Sequence, residues 1–340
     1  MEEAEGSSPS GSTQKAGRAV RRTVGQVRGS SSLGSTQKAG IIEDMKIKKA
    51  VIAAAGAGTR FLPVVKAYPK ELIPILDKPN LQYLVEEMIG AGIEEIAIVH
   101  RHGDPLIKKY FTPDPKLEEF LKKTGKEHYL DSLRAIWKKV KKFRFIPQPN
   151  RLPYGNAAPV LAAKGFIANE PFVYAYGDDL ILEKSPGKFL SSLIATFQKY
   201  QPEAVATAAE FPWQDLKRYS SIKFSSDKIP NQIVDLIEKP ATRKEAFTNF
   251  NAGMRFIVSP KVFSVLAKQE ISRGELWFPD TIQQLAKTGL VIGQLIKDAE
   301  WMTTGDPLRW LKVNLKIAFE DKEMKKELKT FLKKLGLKTK

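Results

Sequence analysis

Apolar residues are scattered without period up to residue 45, and from residue 48 onward they fall into short blocks. The run KKAVIAAA at 48–55 is almost continuously apolar and closes on glycine, the pattern of a strand buried on both faces. EEIAIVH at 94–100, KFRFIPQ at 142–148 and PFVYAYGDD at 171–179 read the same way. Between them, apolar positions at three- and four-residue spacing predict helices over 82–91, 157–167 and 189–200. Strands alternating with helices predict an α/β fold with a mostly parallel sheet flanked by helices and ligands at the strands' carboxyl ends. After residue 201 the texture is strand-rich: AVATAAEF, SSIKF, QIVDLIEKP and NAGMRFIVSP extend the sheet into a mixed one and form the far wall of a cleft. A helix is predicted over 307–320. A lysine-rich helix follows over 321–340, with Met324, Leu328, Phe331, Leu332 and Leu335 on one face for packing on the body or on a second subunit.

This pattern divides the chain into a leader at 1–45, one domain at 46–320 with halves 46–200 and 201–320, and the basic helix 321–340. The leader is rich in Gly, Ser, Thr and Gln and repeats GSTQKAG at 11–17 and 34–40. With few apolar groups to offset its ordering entropy, it is expected to be disordered. There is no cysteine, which excludes thiol catalysis, thiolate metal sites and disulfides. No run of 18 apolar residues occurs, so no membrane span is expected, and the lack of cysteine fits a cytoplasmic location. The net charge is +17. Its lysines cluster at helical spacing beside glutamates, the pattern of a solvated face rather than of a nucleic-acid groove.

The chemistry concentrates in AAAGAGTRFLPVVKAYPKELIPILDKP, residues 53–79. Gly56 and Gly58 directly follow a buried strand, where bare backbone amides can approach phosphates. Phe61 stands where a dinucleotide fingerprint needs its third glycine, and the GxxxxGK[ST] loop is absent. Instead Arg60, Lys66 and Lys70 follow at spacings that can reach one anion, as a triphosphate requires. Two adjacent acids, Asp178 and Asp179, close another strand, and a hard cation with phosphate oxygens suits such a carboxylate. His100 and His102 share metal-ligand spacing but lack a third ligand and read as loop histidines, while Trp277 and Trp301 read as packing residues.

G-x-G-T-R followed by x-x-P-x-x-K-x-x-P-K-E-x-x-P-[IV]-x-x-K-P resembles the signature of the sugar-1-phosphate nucleotidyltransferases, with closest similarity to bacterial-type UTP–glucose-1-phosphate uridylyltransferases. The resemblance runs from about residue 49 to 319 and implies a Rossmann-like nucleotidyltransferase domain with a nucleotide-binding half and a sugar-phosphate half. It implies that Ala55, Gly56 and Gly58 line the base and phosphates, and that Arg60 and Lys70 contact phosphates. Gln148 and Gly155 match a glutamine and a glycine seven residues apart, with the carboxamide suited to the edge of uracil or thymine. Asp178 of AYGDDLI would bind Mg²⁺, with Asp179 beside it near the sugar. Glu238 of VDLIEKP would accept sugar hydroxyls, Lys239 would hold the sugar phosphate, and Gly253 of NAGMRF would offer its backbone. Adjacent strand residues point to opposite faces, so Glu238 and Lys239 can share one site only if the strand ends there.

Four positions depart from the resemblance. Pro153, Asn156 and Ser220 replace a glycine, a histidine and a second glycine. In EWMTTGDPLRWL, Thr303 stands where a second metal-binding aspartate is usual, with Asp306 nearby. The implied reaction is UTP plus glucose 1-phosphate giving UDP-glucose and pyrophosphate, with no covalent enzyme intermediate, in a homodimer or homotetramer. The alternatives are dTTP or another sugar phosphate, and a non-catalytic nucleotide-sugar-binding homologue, for which Thr303 and the basic leader are the motives.

Overall fold

The computed structural model describes residues 46–136, 139–226 and 229–337. The expected leader lies outside them, as do the last three residues of the C-terminal segment. The strands in chain order are β1 (Lys49–Ala54), β2 (Pro74–Ile75), β3 (Lys78–Pro79), β4 (Glu95–His100), β5 (Lys142–Pro147), β6 (Phe172–Tyr176) and β7 (Asp179–Leu182). They continue with β8 (Ala204–Glu210), β9 (Ser220–Phe224), β10 (Gln232–Glu238), β11 (Phe250–Val258), β12 (Val291–Leu295) and β13 (Glu300–Thr303). Nine of them make one sheet in the order β5-β4-β1-β6-β11-β8-β12-β10-β9. Only β11 and β10 run against the other seven, so the sheet is mixed but mostly parallel.

Period-two alternation in the buried strands feeds two cores, one on each face. Ala50, Ile52, Ile96 and Ile98 pack on one side with Leu84 and Met88 of the helix Asn80–Gly90 and Leu190 and Leu193 of the helix Lys188–Tyr200. Val51, Ala97 and Val99 pack on the other with Ile282 and Leu285 of the helix Phe278–Thr288. Both faces are covered, which is why these strands read as continuous apolar runs instead of alternating ones.

The expected helix over 157–167 is broken into Ala158–Ala162 and Lys164–Ile167. The helix Pro307–Ala318 forms as expected, and the last helix spans Lys322–Lys334. No residue of that last helix is buried, and Met324, Phe331 and Leu335 are 45%, 56% and 59% exposed, so its apolar face does not pack on the body. Among the described residues no helix is long and apolar enough to cross a membrane.

Candidate active site

The chain leaves β1 toward β4 on one side and returns to pair β6 on the other, so the strand order reverses at β1. Crevices outside the carboxyl ends at such a reversal are where open α/β sheets bind ligands. The two strands approach closely here. The Gly177 amide donates to the Ala53 carbonyl at 2.9 Å, and a Cβ on Gly177 would lie 2.2 Å from that oxygen. Asp178 follows at once, so its placement depends on a residue with no side chain before it.

Ala55, Gly56 and Gly58 form the turn after β1. Gly58 has a φ of 64°, and a Cβ there would meet Val65 and Lys70 at 3.2 and 3.3 Å. The Lys70 stem runs beneath this turn, with its Cε 3.4 Å from a Cβ built on Gly56. Its ammonium lies 2.6 Å from Asp178 Oδ2 and 3.9 Å from Glu71 Oε1. A Cβ on Gly305 would lie 3.2 Å from Asp178 Oδ2, 3.3 Å from Thr303 Oγ1 and 3.8 Å from Arg60 Nη1. Arg60, Lys70, Asp178 and Thr303 therefore converge around one side-chain-free position, although up to 243 residues separate them in the chain.

The charges of this cluster set each other's protonation. Burial pushes the Asp178 carboxyl up, but the Lys70 ammonium, with Arg60 beyond it, more than offsets this and holds it below the usual carboxylate range. Burial lowers Lys70, yet the charges of Asp178 and Glu71 outweigh it and leave its pKa raised. Asp179 and Glu71 are both pushed up to about 7, chiefly by burial, with the Asp178 charge adding to the effect on Asp179. The cluster thus presents one firmly ionised carboxylate and two cations.

Thr303 pairs with Asp179 across β13 and β7, and the Thr303 hydroxyl donates to the Asp178 carbonyl at 3.3 Å. Asp306 does not take its place, because its carboxylate accepts the Arg309 amide at 3.0 Å and caps the helix Pro307–Ala318. Among the described residues no three acids or histidines stand close enough to hold a metal ion alone. One ionised carboxylate beside a neutral hydroxyl fits a magnesium ion that takes most of its ligands from phosphate oxygens and water.

On the nucleotide side, the Gln148 amide donates to the His100 carbonyl at 2.8 Å, which fixes it at the end of β5. Its Oε1 is buried without a hydrogen-bond partner, as a group waiting for a ligand donor would be. Gly155 has a φ of 136°, and a Cβ there would lie 2.3 Å from the Leu276 carbonyl, so the seven-residue spacing ends on a required glycine. Asn156 is spent on structure: its Oδ1 accepts the Phe278 amide and its Nδ2 donates to the Tyr176 hydroxyl at 3.2 Å.

The residues expected on the sugar side are assembled differently. β10 ends at Glu238, and Lys239 takes a φ of 51°, which breaks the strand alternation as two adjacent functional residues require. The Lys239 amide donates to the Tyr219 carbonyl at 2.8 Å, and its ammonium sits 3.8 Å from the centre of the Trp277 ring. That ammonium rests on an aromatic face and not on Asp178. Burial pushes Glu238 up to about 7 despite the neighbouring Lys239. Gly253 lies where the β11–β8 register slips, next to Met254 with a φ of 63°. Ser220, in place of a glycine, donates through its hydroxyl to Asn251 Oδ1 at 2.8 Å, so the exchange ties β9 to β11.

Three participants were not legible beforehand. Arg273 donates to the Glu238 carbonyl at 3.3 Å and adds a cation at the sugar side. The Tyr176 phenol has its pKa raised by burial first and then by Tyr174, Glu238, Asp179 and Asp178, which places it between the two halves of the site. Trp301, assigned to packing, keeps that role in edge contacts with Phe211 and Tyr219, and its indole N–H also faces the Asp179 carboxyl, whose rise in pKa it restrains.

Residues 49–320 match the family model described as nucleotidyl transferase. The UTP–glucose-1-phosphate uridylyltransferase of Bacillus subtilis is 32% identical over 292 residues, covering 85% of this chain and 97% of that relative. One from Staphylococcus saprophyticus is 34% identical over 297 residues, covering 86% and 100%. Among solved structures, a UDP-glucose pyrophosphorylase complexed with UDP-glucose superimposes with a TM-score of 0.71 at 29% identity, covering 81% of this chain and all of that one. A UTP-bound enzyme from Acinetobacter baumannii does so with a TM-score of 0.73 at 27% identity, covering 84% and 99%. With its glycine turn, cation pair and aspartate corner in the crevice where that family's fold opens, the chain belongs to the nucleotidyl transferase family.

Proposed function

We propose that this protein joins UTP and glucose 1-phosphate into UDP-glucose and pyrophosphate. The observation that carries the reading is the convergence of Arg60, Lys70 and Asp178 at the β1–β6 crevice. It is supported by relatives whose names and bound ligands are those of this reaction. A phosphate oxygen of the sugar phosphate attacks the α-phosphorus of UTP in line. The bond to the bridging oxygen breaks, and pyrophosphate leaves with that electron pair. Two polyanions must meet, so alignment and charge neutralisation carry the rate.

Arg60 and Lys70 screen the triphosphate, and Lys70 already has an anionic partner in Asp178 that it can share with an incoming phosphate. Lys239 and Arg273 hold the attacking phosphate, while Glu238, Asp179 and the Gly253 backbone take the sugar hydroxyls. Gln148, with its unpartnered Oε1, meets the imide edge of the base. Asp178, Thr303 and phosphate oxygens would hold Mg²⁺, which supplies Lewis-acid stabilisation of the developing charge. Uracil and thymine present the same imide edge to Gln148, so dTTP is the rival nucleotide.

Pyrophosphate release measured with UTP, dTTP and the other nucleotides against glucose, galactose, mannose and N-acetylhexosamine 1-phosphates tests the assignment. No turnover with UTP and glucose 1-phosphate in the presence of magnesium would overturn it, and tight binding without turnover would mark a non-catalytic homologue. A cytoplasmic place of action is part of this reading, in keeping with the cysteine-free composition.

A homo-oligomer belongs to the same proposal. Leu308, Leu311 and Leu315 on one C-terminal helix, and Met324, Phe331 and Leu335 on the next, form exposed stripes at helical spacing. Apolar stripes of this kind are buried when a second copy packs on them. Light scattering of the full chain and of Phe331→Glu checks this, with a monomeric parent protein as the contrary result.

A further inference from the structure

The most buried ion pair among the described residues has no part in the reaction as set out above. Arg255 on β11 is 0% exposed, and Glu87 on the helix Asn80–Gly90 is 4% exposed. The pair is bidentate: Arg255 Nε donates to Glu87 Oε1 at 2.8 Å and Nη2 to Glu87 Oε2 at 2.7 Å. The guanidinium also donates from Nη1 to its neighbour Met254's carbonyl at 3.1 Å and from Nη2 to the Asp179 carbonyl at 2.9 Å. The last bond matters, because Asp179 is one peptide from the ionised Asp178. On the other side, the Asp178 carbonyl accepts the Thr304 amide at 2.7 Å and the Thr304 hydroxyl at 3.0 Å. The two consecutive carbonyls of the aspartate corner are thus both held, one by Thr304 and the other by Arg255.

Glu87 in turn cannot drift. Its helix ends at Gly90, where a Cβ would lie 1.9 Å from the Pro186 carbonyl, so helix and turn are in backbone contact. A buried ion pair seldom adds net stability, since apolar side chains of like volume do as well, and its value lies in geometry. Here the geometry is that of a fork which ties a helix, the sugar-side strand two residues beyond Gly253, and the turn carrying Asp178.

We propose that Arg255, held by Glu87, is a positioning residue that fixes the Asp178 carboxylate for magnesium and the triphosphate. It acts through the Asp179 backbone and touches no substrate. The inference rests on Asp178 being the metal and phosphate group.

Arg255→Lys keeps the charge but loses the planar fork. In that variant the magnesium concentration for half-maximal rate rises by about tenfold and kcat falls by about 10- to 100-fold, as when partners behind metal ligands are removed. The KM for glucose 1-phosphate rises by less than the magnesium requirement does, because Lys239 and Arg273 hold the sugar phosphate independently of Arg255 and only the Asp179 and Gly253 contacts lie beside it. Calorimetry of magnesium and UTP without sugar phosphate reads the same weakening independently of turnover. The double variant Arg255→Met with Glu87→Leu removes the charges and keeps the volume. It folds, melts no lower than Arg255→Lys, and retains the magnesium defect. A double variant with parental magnesium dependence and kcat would overturn the proposal, and so would failure of both variants to fold, which would make the pair a stability element. If the parent binds magnesium and UTP but makes no UDP-glucose, the functional reading falls, while the calorimetric contrast between parent and variants still decides the role of Arg255.

Discussion

The part of the site proposed for the nucleotide and the part proposed for the sugar phosphate are built in contrasting ways. At the β1–β6 crevice, Lys70 and Asp178 are already paired at 2.6 Å, parallel strands touch backbone to backbone at Gly177, and glycines leave no side chains in the way. At the ends of β10 and β11, Lys239 rests on Trp277, Glu238 is buried at about 7, and the strands carry a register slip and left-handed residues. In the first region the charged groups are in contact with one another, and in the second they are held apart. The difference fits what each is proposed to bind. A triphosphate needs concentrated positive charge, whereas a sugar needs separated acceptors that match the spacing of its hydroxyls.

The largest expected break is at the assembled side. Asp178→Asn keeps the shape but removes the charge that holds Lys70 and a metal, and UDP-glucose formation is expected to fall by about 10²- to 10³-fold. A rate within threefold of the parent would remove Asp178 from the site. Next, Lys239→Ala deletes one charged contact on the dispersed side. The KM for glucose 1-phosphate should rise by about 10- to 100-fold while UTP binding by calorimetry stays near parental. Equal losses for both substrates would erase the division between the halves.

A smaller effect is expected at Gln148→Ala, which removes one or two neutral hydrogen bonds to the base. UTP affinity should drop by about five- to tenfold with glucose 1-phosphate unaffected. The last expected effect is on stability and depends on pH. Glu71, Asp179 and Glu238 are all raised to about 7 when folded, against about 4 in an unfolded chain. Their contribution to stability is therefore complete below about pH 4 and is lost as the pH rises through about 7. Melting of the ligand-free protein should fall over that window, and Glu71→Gln should flatten the curve. A slope identical to the parent's would show that Glu71 is not held protonated by its burial.

Much of the site was legible because it sits in short segments. The glycine turn with Arg60 and Lys70 spans 15 residues, and the pairs Asp178–Asp179 and Glu238–Lys239 are adjacent in the chain. Arg255 could not be read, since an arginine in an apolar strand carries no local sign of a glutamate 168 residues away. Arg273 and Tyr176 were missed for the same reason. The break in the helix over 157–167 had a local cue in Gly165 and small residues, which weaken helix propensity but do not fix a boundary.

The sequence by itself determined the alternation of buried strands and helices, the bare-backbone turn, the acid pair at a strand end and the family likeness. Each is a short-range pattern, and burial or backbone freedom acts on a few neighbouring residues at a time. Tertiary structure alone decided that Lys70 pairs with Asp178, that Asp306 caps a helix and leaves Thr303 facing the aspartate corner, and that Arg255 reaches Asp179. Those outcomes depend on strand order and register across the sheet, which bring distant residues together through packing that no local periodicity encodes.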